Sequence, residues 1–263
     1  MSSPDFRGSL PPNPSLRHLK LQAKELLKSA RQGDSRALDR VGTYANRRHA
    51  VTLADAQLTI AREYGFRSWT QLKIQVETTA ATFAERLDTF LAEGWAWGDN
   101  RRARLVLDVE PALTQANIYA ACTAIDAQVV ERLLADDPTS ATRVGGPRHW
   151  QPILYVTWSC WLAERVDEAL RVMELLLQHG ADPNAAWHNP QYQVDESALY
   201  GCVTANCDRA ARMLLERGAD PNDNESLYHA CENGNLAMLH ALGDSGLAAK
   251  DISYCIKHAI DYR

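Results

Sequence analysis

The sequence LLLQHGADPN at Leu175–Asn184 returns 38 residues later as MLLERGADPN at Met213–Asn222. The apolar residues that open each copy lie at helical spacing and are typical of a helix that packs against its neighbours. The glycine that follows accepts the left-handed backbone that ends a helix, and the proline prevents the helix from resuming. Two such copies in register indicate an internal repeat, in which stacked units bury a continuous core.

Weaker copies of the same pattern flank these two, at Val130–Pro138 and Ala237–Leu242. A shorter apolar helix precedes each copy, and these helices begin around Ile118, Ile153, Leu199 and Leu227. The intervals between those four positions are 35, 46 and 28 residues. They scatter around the roughly 33 residues of an ankyrin repeat, with insertions on the loop side.

From about Ala84 to its C-terminus the chain resembles the ankyrin-repeat family. The Gly-Ala-Asp-Pro-Asn copies carry the resemblance, whereas the family's Thr-Pro-Leu-His start of the first helix is degraded. Only Gln151–Ile153 keeps the proline, and Tyr119, Tyr200 and Tyr228 stand where the family usually has histidine. The resemblance implies an all-α fold, a solenoid of stacked helix-turn-helix units, and a concave groove beside projecting loops. In this family that surface commonly binds other proteins.

The charge of the chain changes along its length. The whole chain has a formal net charge of −5, but residues 1–80 hold 13 Lys and Arg against 7 Asp and Glu, and residues 81–263 hold 15 against 26. Such asymmetry indicates two units with different roles. We predict a flexible N-terminal tail over residues 1–14, a basic helical leader over 15–80, and about five irregular repeats plus a terminal half-repeat over 81–263.

Four short helices are predicted in the leader, which looks like the helical segment that precedes ankyrin arrays in many bacterial proteins. The predicted N-terminal residues of these helices are Asn13, Asp34, Thr52 and Ser68, and the glycines expected to end the first three are Gly33, Gly42 and Gly65. Thr52 and Asp55 have the spacing of a capping box, in which each side chain bonds the other's backbone amide.

A nucleic-acid-associated regulator is the alternative function for this basic segment. Two short helices around Gly65–Phe66 are compatible with a helix-turn-helix, and Arg47–His49 is a tight cationic cluster. We favour a small helical cap with solvated charges, because Phe66 and Trp69 have the positions of buried anchors.

The two ends of the repeat array depart from the pattern. A degenerate first repeat is predicted over Phe83–Leu113, and Ile252–Arg263 has the pattern of a single helix without its partner. A terminal half-repeat leaves an apolar face open, so either a partner chain covers it or the natural sequence continues.

No motif in the sequence indicates catalysis or a cofactor. Phosphate-binding glycine loops, the Gly-x-Ser-x-Gly elbow and the His-Glu-x-x-His zinc helix are all missing from the sequence. Cys202 and Cys207 are five residues apart and point in different directions on a helix, and Cys255 with His258 supplies only two of the four ligands of structural zinc. We therefore expect no enzyme, no cofactor and no metal.

Loop aromatics are the candidates for partner binding, because Trp, Tyr and Arg are enriched at interface hot spots. The candidates are Arg148, His149, Trp150, Trp187, His188 and Tyr192. Alternatively, Trp150 and Trp187 fold back onto adjacent repeats. Trp158 and Trp161 have the apolar surroundings of core residues.

The longest apolar stretch, Pro152–Ala163, has 12 residues, and a membrane-spanning helix needs about 20. The chain opens without a secretory signal, and its six cysteines are typical of reduced thiols. We therefore expect a cytoplasmic, non-enzymatic protein–protein interaction module that does not enter a membrane and whose partner is a protein.

Overall fold

The computed structural model describes residues 8–45, 50–250 and 252–253. Over these residues the chain is mostly helical, which confirms the all-α prediction at that level. Contacts divide it into two compact units, Met1–Thr82 and Phe83–Arg263, and the predicted boundary lay between residues 80 and 81. Three predicted features lie wholly or partly outside the described residues: the tail, the Arg47–His49 cluster, and the helix at Ile252–Arg263 with Cys255 and His258.

The part of the first unit that the structure describes, residues 8–45 and 50–82, contains four helices. They are α1 (Leu16–Arg31), α2 (Ser35–Tyr44), α3 (Leu53–Glu63) and α4 (Trp69–Ala80). Helix α1 contacts the other three, and α3 contacts α2 and α4. Arg40 donates from Nε and Nη2 to the buried carboxylate of Glu63 at 2.8 and 2.9 Å, which ties α2 to α3.

Helix boundaries in this unit follow the predicted caps with two exceptions. The capping box of Thr52 and Asp55 is formed in both directions. The first helix, however, is capped by Ser15 rather than Asn13, because the Ser15 hydroxyl accepts from the amide of His18. Gly42 does not end α2, which continues to Tyr44. One glycine inside a helix costs only about 1 kcal/mol, which the surrounding packing offsets.

Over its described residues, the second unit contains five helix pairs and one β-hairpin. The pairs are α5 (Phe83–Glu93) with α6 (Arg101–Val109), α7 (Ile118–Ala124) with α8 (Ala127–Asp136), α9 (Pro152–Thr157) with α10 (Val166–Gln178), α11 (Ala198–Thr204) with α12 (Asp208–Glu216), and α13 (Ser226–Asn233) with α14 (Leu236–Asp244). From α7 onward, first helices contact first helices and second helices contact second helices.

The asparagine of each Asp-Pro-Asn motif links one turn to the next. Asn184 donates from Nδ2 to the carbonyl of Gly218 at 3.0 Å and accepts from the amide of Asp220 at 2.8 Å. Asn222 makes the same two bonds to Gly246 and Ala248, at 3.3 and 2.7 Å. The motif therefore keeps asparagine because one side chain satisfies a donor and an acceptor of the following unit.

Strands β1 (Ala186–Asn189) and β2 (Val194–Ser197) form an antiparallel hairpin in the insertion between α10 and α11. Strands were not predicted for this insertion. Four-residue strands carry little periodic signal, and Gln193 turns the chain with a φ of 57°. This hairpin forms one wall of the candidate site.

Candidate binding groove

A groove of about 670 Å³ opens between the hairpin, α11 and α13 of the second unit. It is lined mainly by aromatic and acidic residues. They are Trp97, Tyr192, Val194, Glu196, Tyr200, Thr204, Glu225, Tyr228, His229 and Asn233. Tyr200 and Tyr228 come from the first turns of α11 and α13, so the stacking of the first helices brings the two tyrosines to one surface.

Alternation along the hairpin determines which side chains face the helices. Trp187 pairs with Glu196 and Asn189 pairs with Val194 across the two strands, and these four residues share the inner face. His188 and Asp195 lie on the outer face, where the Nδ1 atom of His188 is 3.0 Å from the Asp195 carboxylate. The hairpin therefore directs a carboxylate, Glu196, towards the protein interior.

Glu196 is only 2% exposed and is incompletely satisfied. Its Oε1 atom accepts a hydrogen bond from the side-chain Nδ2 atom of Asn189 at 2.9 Å. Its buried Oε2 atom has no hydrogen-bond partner among the described residues. Burial raises the pKa of Glu196, the Asn189 bond opposes that shift, and the nearby charge of Glu225 adds to it. A buried carboxylate that makes no direct ion pair is costly, because the Asn189 bond and the charge of His229 compensate its desolvation only in part.

His229 lies between two carboxylates beside this site. Its Nε2 atom is 3.3 Å from Glu225 and its Nδ1 atom is 2.9 Å from Glu232. The imidazole stacks on the ring of Tyr200 with centroids 4.9 Å apart. Burial and, after it, the negative charge of Glu196 raise the pKa of the Tyr200 phenol. Tyr200 therefore stays neutral at the inner end of the groove.

A second pocket of about 360 Å³ adjoins the groove and shares Val194 and Glu225 with it. Acidic residues again dominate the charge of its lining, through Asp195, Asp220, Asp223 and Glu225. Among the lining residues of the two pockets there are five carboxylates and no lysine or arginine. The lining of the two pockets therefore carries an excess of negative charge.

Trp97 reaches the groove on the loop between α5 and α6. This loop lies along the end of α9, where Ala96 donates its amide to the carbonyl of Trp158 at 2.8 Å and Cys160 donates to Gly94 at 3.1 Å. The indole of Trp97 packs edge-to-face on Trp158, with centroids 4.8 Å apart, and on Tyr200 at 5.6 Å. It remains 41% exposed, so one face is open to a ligand.

Behind Trp97 lies a tryptophan cluster, which we define as Trp95, Trp97, Trp150, Trp158 and Trp187. Ring centroids within the cluster are 4.8–6.4 Å apart, mostly in tilted or edge-to-face arrangements. Arg148 stacks on two of its members, with its guanidinium carbon 3.9 Å from the Trp95 centroid and 4.9 Å from that of Trp150. Burial lowers the pKa of Arg148 to about 10.

The six predicted contact residues separate into four groups. Trp150 is not a surface contact residue, because it is only 4% exposed and packs in the tryptophan cluster, as the alternative of folding back predicts. Trp187, another member of the cluster, and Arg148, which stacks on the cluster, are half-buried. His149 and His188 are exposed but do not line the groove. Tyr192 is 63% exposed and lines it. Trp158 and Trp161 are buried, as predicted for core residues.

Sequence reasoning missed Glu196, Glu225, His229 and Trp97. One signal was available, since tyrosine recurs at Tyr200 and Tyr228 in the position where the resemblance leads one to expect histidine. The acidic residues gave no such signal, because Glu196 belongs to a strand that the sequence did not predict.

We expect the raised pKa of Glu196 to contribute to the pH dependence of the free energy of unfolding. A carboxyl whose folded pKa is raised contributes stability that is present below its ordinary pKa and is lost as the pH rises through the raised value. Glu196→Gln removes this titration, so the variant should gain stability relative to the wild type as the pH rises from acidic to neutral. Urea unfolding across that range measures the difference, and Glu216→Gln, at an exposed glutamate, is the matched control. A difference independent of pH would contradict the assignment.

Comparison with protein-family models finds no match, and no curated protein matches the chain. Among the described residues, no three or more His, Cys, Asp or Glu side chains are grouped so that they could hold a metal ion. Within the same residues, no helix combines the length and the apolar character that crossing a bilayer requires.

Proposed function

We propose that this chain is a non-enzymatic protein–protein interaction module that binds its partner in the groove of the second unit. The observation that carries the proposal is the groove itself, which combines exposed aromatic rings with carboxylates on a rigid support. Interface hot spots are enriched in tryptophan and tyrosine, and Trp97 and Tyr192 are 41% and 63% exposed there.

We further propose that the second unit has the ankyrin-type arrangement to which its sequence is similar. The repeated contacts between successive helix pairs support this proposal, and so do the matching bonds of Asn184 and Asn222 to the following turns. In such an arrangement the first helices and the loop hairpins line a concave surface. The groove lies against α11, α13 and the hairpin, which is where that surface would be.

The nucleic-acid hypothesis for the basic first unit stays a prediction. Arg17, Lys20 and Lys24 line a shallow depression on α1, which is compatible with solvated charges on a helix face. Steeply salt-dependent binding of duplex DNA or RNA by the full chain would be required to support a nucleic-acid function.

Affinity capture with the full chain as bait tests the proposed function. Trp97→Ala and Tyr192→Ala should each weaken retention of the partner at least about 10-fold, because each removes an exposed aromatic contact. Leu236→Ala is the matched control, since Leu236 is 71% exposed outside the groove lining. Mass spectrometry identifies proteins retained by the wild type and the control but lost from both groove variants. Identical retention by all four proteins would show that the groove is not the binding site.

A further inference from the structure

His229 is the one residue in the lining of the two pockets that can carry a positive charge. Glu196 and Glu225 line the main pocket, and the adjoining pocket adds three aspartates, with no lysine or arginine in either. Glu225 has His229 as a neighbour at 3.3 Å. The Oε2 atom of Glu196, by contrast, has no hydrogen-bond partner among the described residues although it is buried. A ligand that supplies a cationic donor would satisfy this atom and recover part of the desolvation cost.

The aromatic residues of the groove favour the same kind of ligand. The ring face of a tryptophan or tyrosine attracts a cation placed within about 6 Å of its centroid. Trp97, Tyr192 and Tyr228 line the pocket that contains Glu196, so rings and carboxylate surround one space. This protein already uses the same chemistry internally, where Arg148 stacks on Trp95 at 3.9 Å from the ring centroid.

The dimensions favour a protein segment over a small amine. The main pocket has a volume of about 670 Å³, and a neighbouring pocket of about 360 Å³ shares Val194 and Glu225 with its lining. One ammonium group with its alkyl chain fills only a fraction of that space. The acidic lining of both pockets calls for more than one positive charge along the ligand.

We infer that the groove binds a basic segment of a partner protein and takes a lysine or arginine side chain between the carboxylate of Glu196 and the rings of Trp97, Tyr192 and Tyr228. The inference rests on the proposed function and specifies the chemistry of its partner. A second basic residue of the segment lies over the adjoining acidic pocket. Electrostatic attraction speeds the encounter, and the cation over Glu196 sets specificity.

The test uses the full chain and fluorescein-labelled flexible peptides of glycine and serine with two internal lysines. Matched probes replace both lysines with arginine, acetyl-lysine or glutamate. Fluorescence anisotropy should detect binding of the lysine or the arginine probe, and the acetyl-lysine and glutamate probes should bind at least about 10-fold more weakly, because they lack the cation. Binding should weaken as salt is added.

Variants locate the site. Glu196→Gln keeps the size of the side chain and removes its charge. It should therefore weaken binding of the basic (lysine or arginine) probe about 10-fold, and Trp97→Ala should weaken that binding by a similar factor. Trp97→Phe should restore part of the affinity, because a ring face returns. Glu216→Gln removes an exposed charge outside the groove lining and should leave the affinity unchanged. Equal losses in Glu216→Gln and Glu196→Gln would overturn the inference in favour of diffuse attraction.

Other outcomes distinguish this inference from the proposed function. If the acetyl-lysine or glutamate probe binds in the groove, the inference that the ligand is cationic is wrong. The proposed protein–protein interaction function is not affected by that result. The inference of a cationic ligand is also wrong if none of the probes binds while capture of the partner still depends on Trp97 and Tyr192. If free lysine amide displaces the basic probe at equal concentration, the groove is a site for small amines. The inference that its ligand is a segment of a protein would then be wrong. Self-association of the chain that the basic probe disrupts would identify the occupant as another copy's basic leader, which would overturn a separate partner.

Discussion

Trp158→Ala is expected to lower the free energy of unfolding of the second unit by about 3–5 kcal/mol, the usual cost of truncating a fully buried tryptophan. Trp158 is 0% exposed and contacts the rings of all four other members of the tryptophan cluster. Its Nε1 atom also donates to the carbonyl of Ser197 at 3.1 Å, so the substitution leaves a cavity and an unpaired acceptor.

The effect should extend to the groove, because Trp158 connects its separate parts. Its indole packs on Trp97 and on Tyr200, and its Nε1 atom donates to Ser197, which ends the strand that carries Glu196. Three elements distant in sequence therefore meet on one side chain. The truncated variant should bind partner and basic probe more weakly even where it remains folded.

Urea unfolding followed by far-ultraviolet circular dichroism measures this prediction, since the substitution itself alters fluorescence. Tyr192→Ala is the control, because Tyr192 is 63% exposed and its truncation should change stability by less than about 0.5 kcal/mol. A loss of under about 1 kcal/mol for Trp158→Ala would mean that the cluster does not support the second unit.

The mostly helical fold could be predicted from the sequence because its signals are local. The two Gly-Ala-Asp-Pro-Asn copies end helices through the backbone conformations of Gly180 and Gly218, whose φ angles are 87° and 93°. The capping box of Thr52 and Asp55 likewise spans four residues. Where a local signal was weak the prediction was wrong, as at Gly42, because burial of Ala37 and Val41 on α2 outweighs the preference of one glycine.

The candidate site could not be predicted in the same way, because it depends on long-range contacts of irregular segments. Trp97 meets Tyr200 only because the loop after α5 lies along residues 158–160. Trp150 was a candidate contact residue with burial as the alternative, and its loop position does not reveal that Trp95, Trp158 and Trp187 pack against it. The acidity of the groove also depends on Glu196, whose inward direction follows from the register of the hairpin.

Stability and binding place opposite demands on this groove. The buried carboxylate of Glu196 disfavours the unliganded folded state, and the tryptophan cluster next to it supplies compensating burial. Functional sites commonly retain such locally unfavourable groups, because optimising the site for stability removes the feature that the ligand recognises. The tight packing of the cluster should therefore tolerate little change.

The contact between α9 and α11 provides the strictest test of that packing. A Cβ atom at Gly201 would lie 2.8 Å from the carbonyl oxygen of Thr157 and 2.9 Å from the indole of Trp158. Gly201→Val should therefore cost about 3 kcal/mol through overpacking, with Gly201→Ala giving a smaller loss in the same direction. Both substitutions should also weaken binding of the basic probe, because they displace the indole of Trp158, on which Trp97 packs.

Gly243 is the matched control, since it lies within α14 and a Cβ atom there would meet nothing within 4 Å. Gly243→Ala should stabilise the protein by about 0.5–1 kcal/mol, because alanine favours a helix more than glycine does. Urea unfolding of the three variants compares the glycine-to-alanine substitution in two helices. Opposite signs for the two alanine variants indicate that close approach to Trp158 requires glycine at position 201. A gain in stability from Gly201→Ala would mean that α9 and α11 separate easily, and the support for Trp97 inferred from this contact would then be wrong.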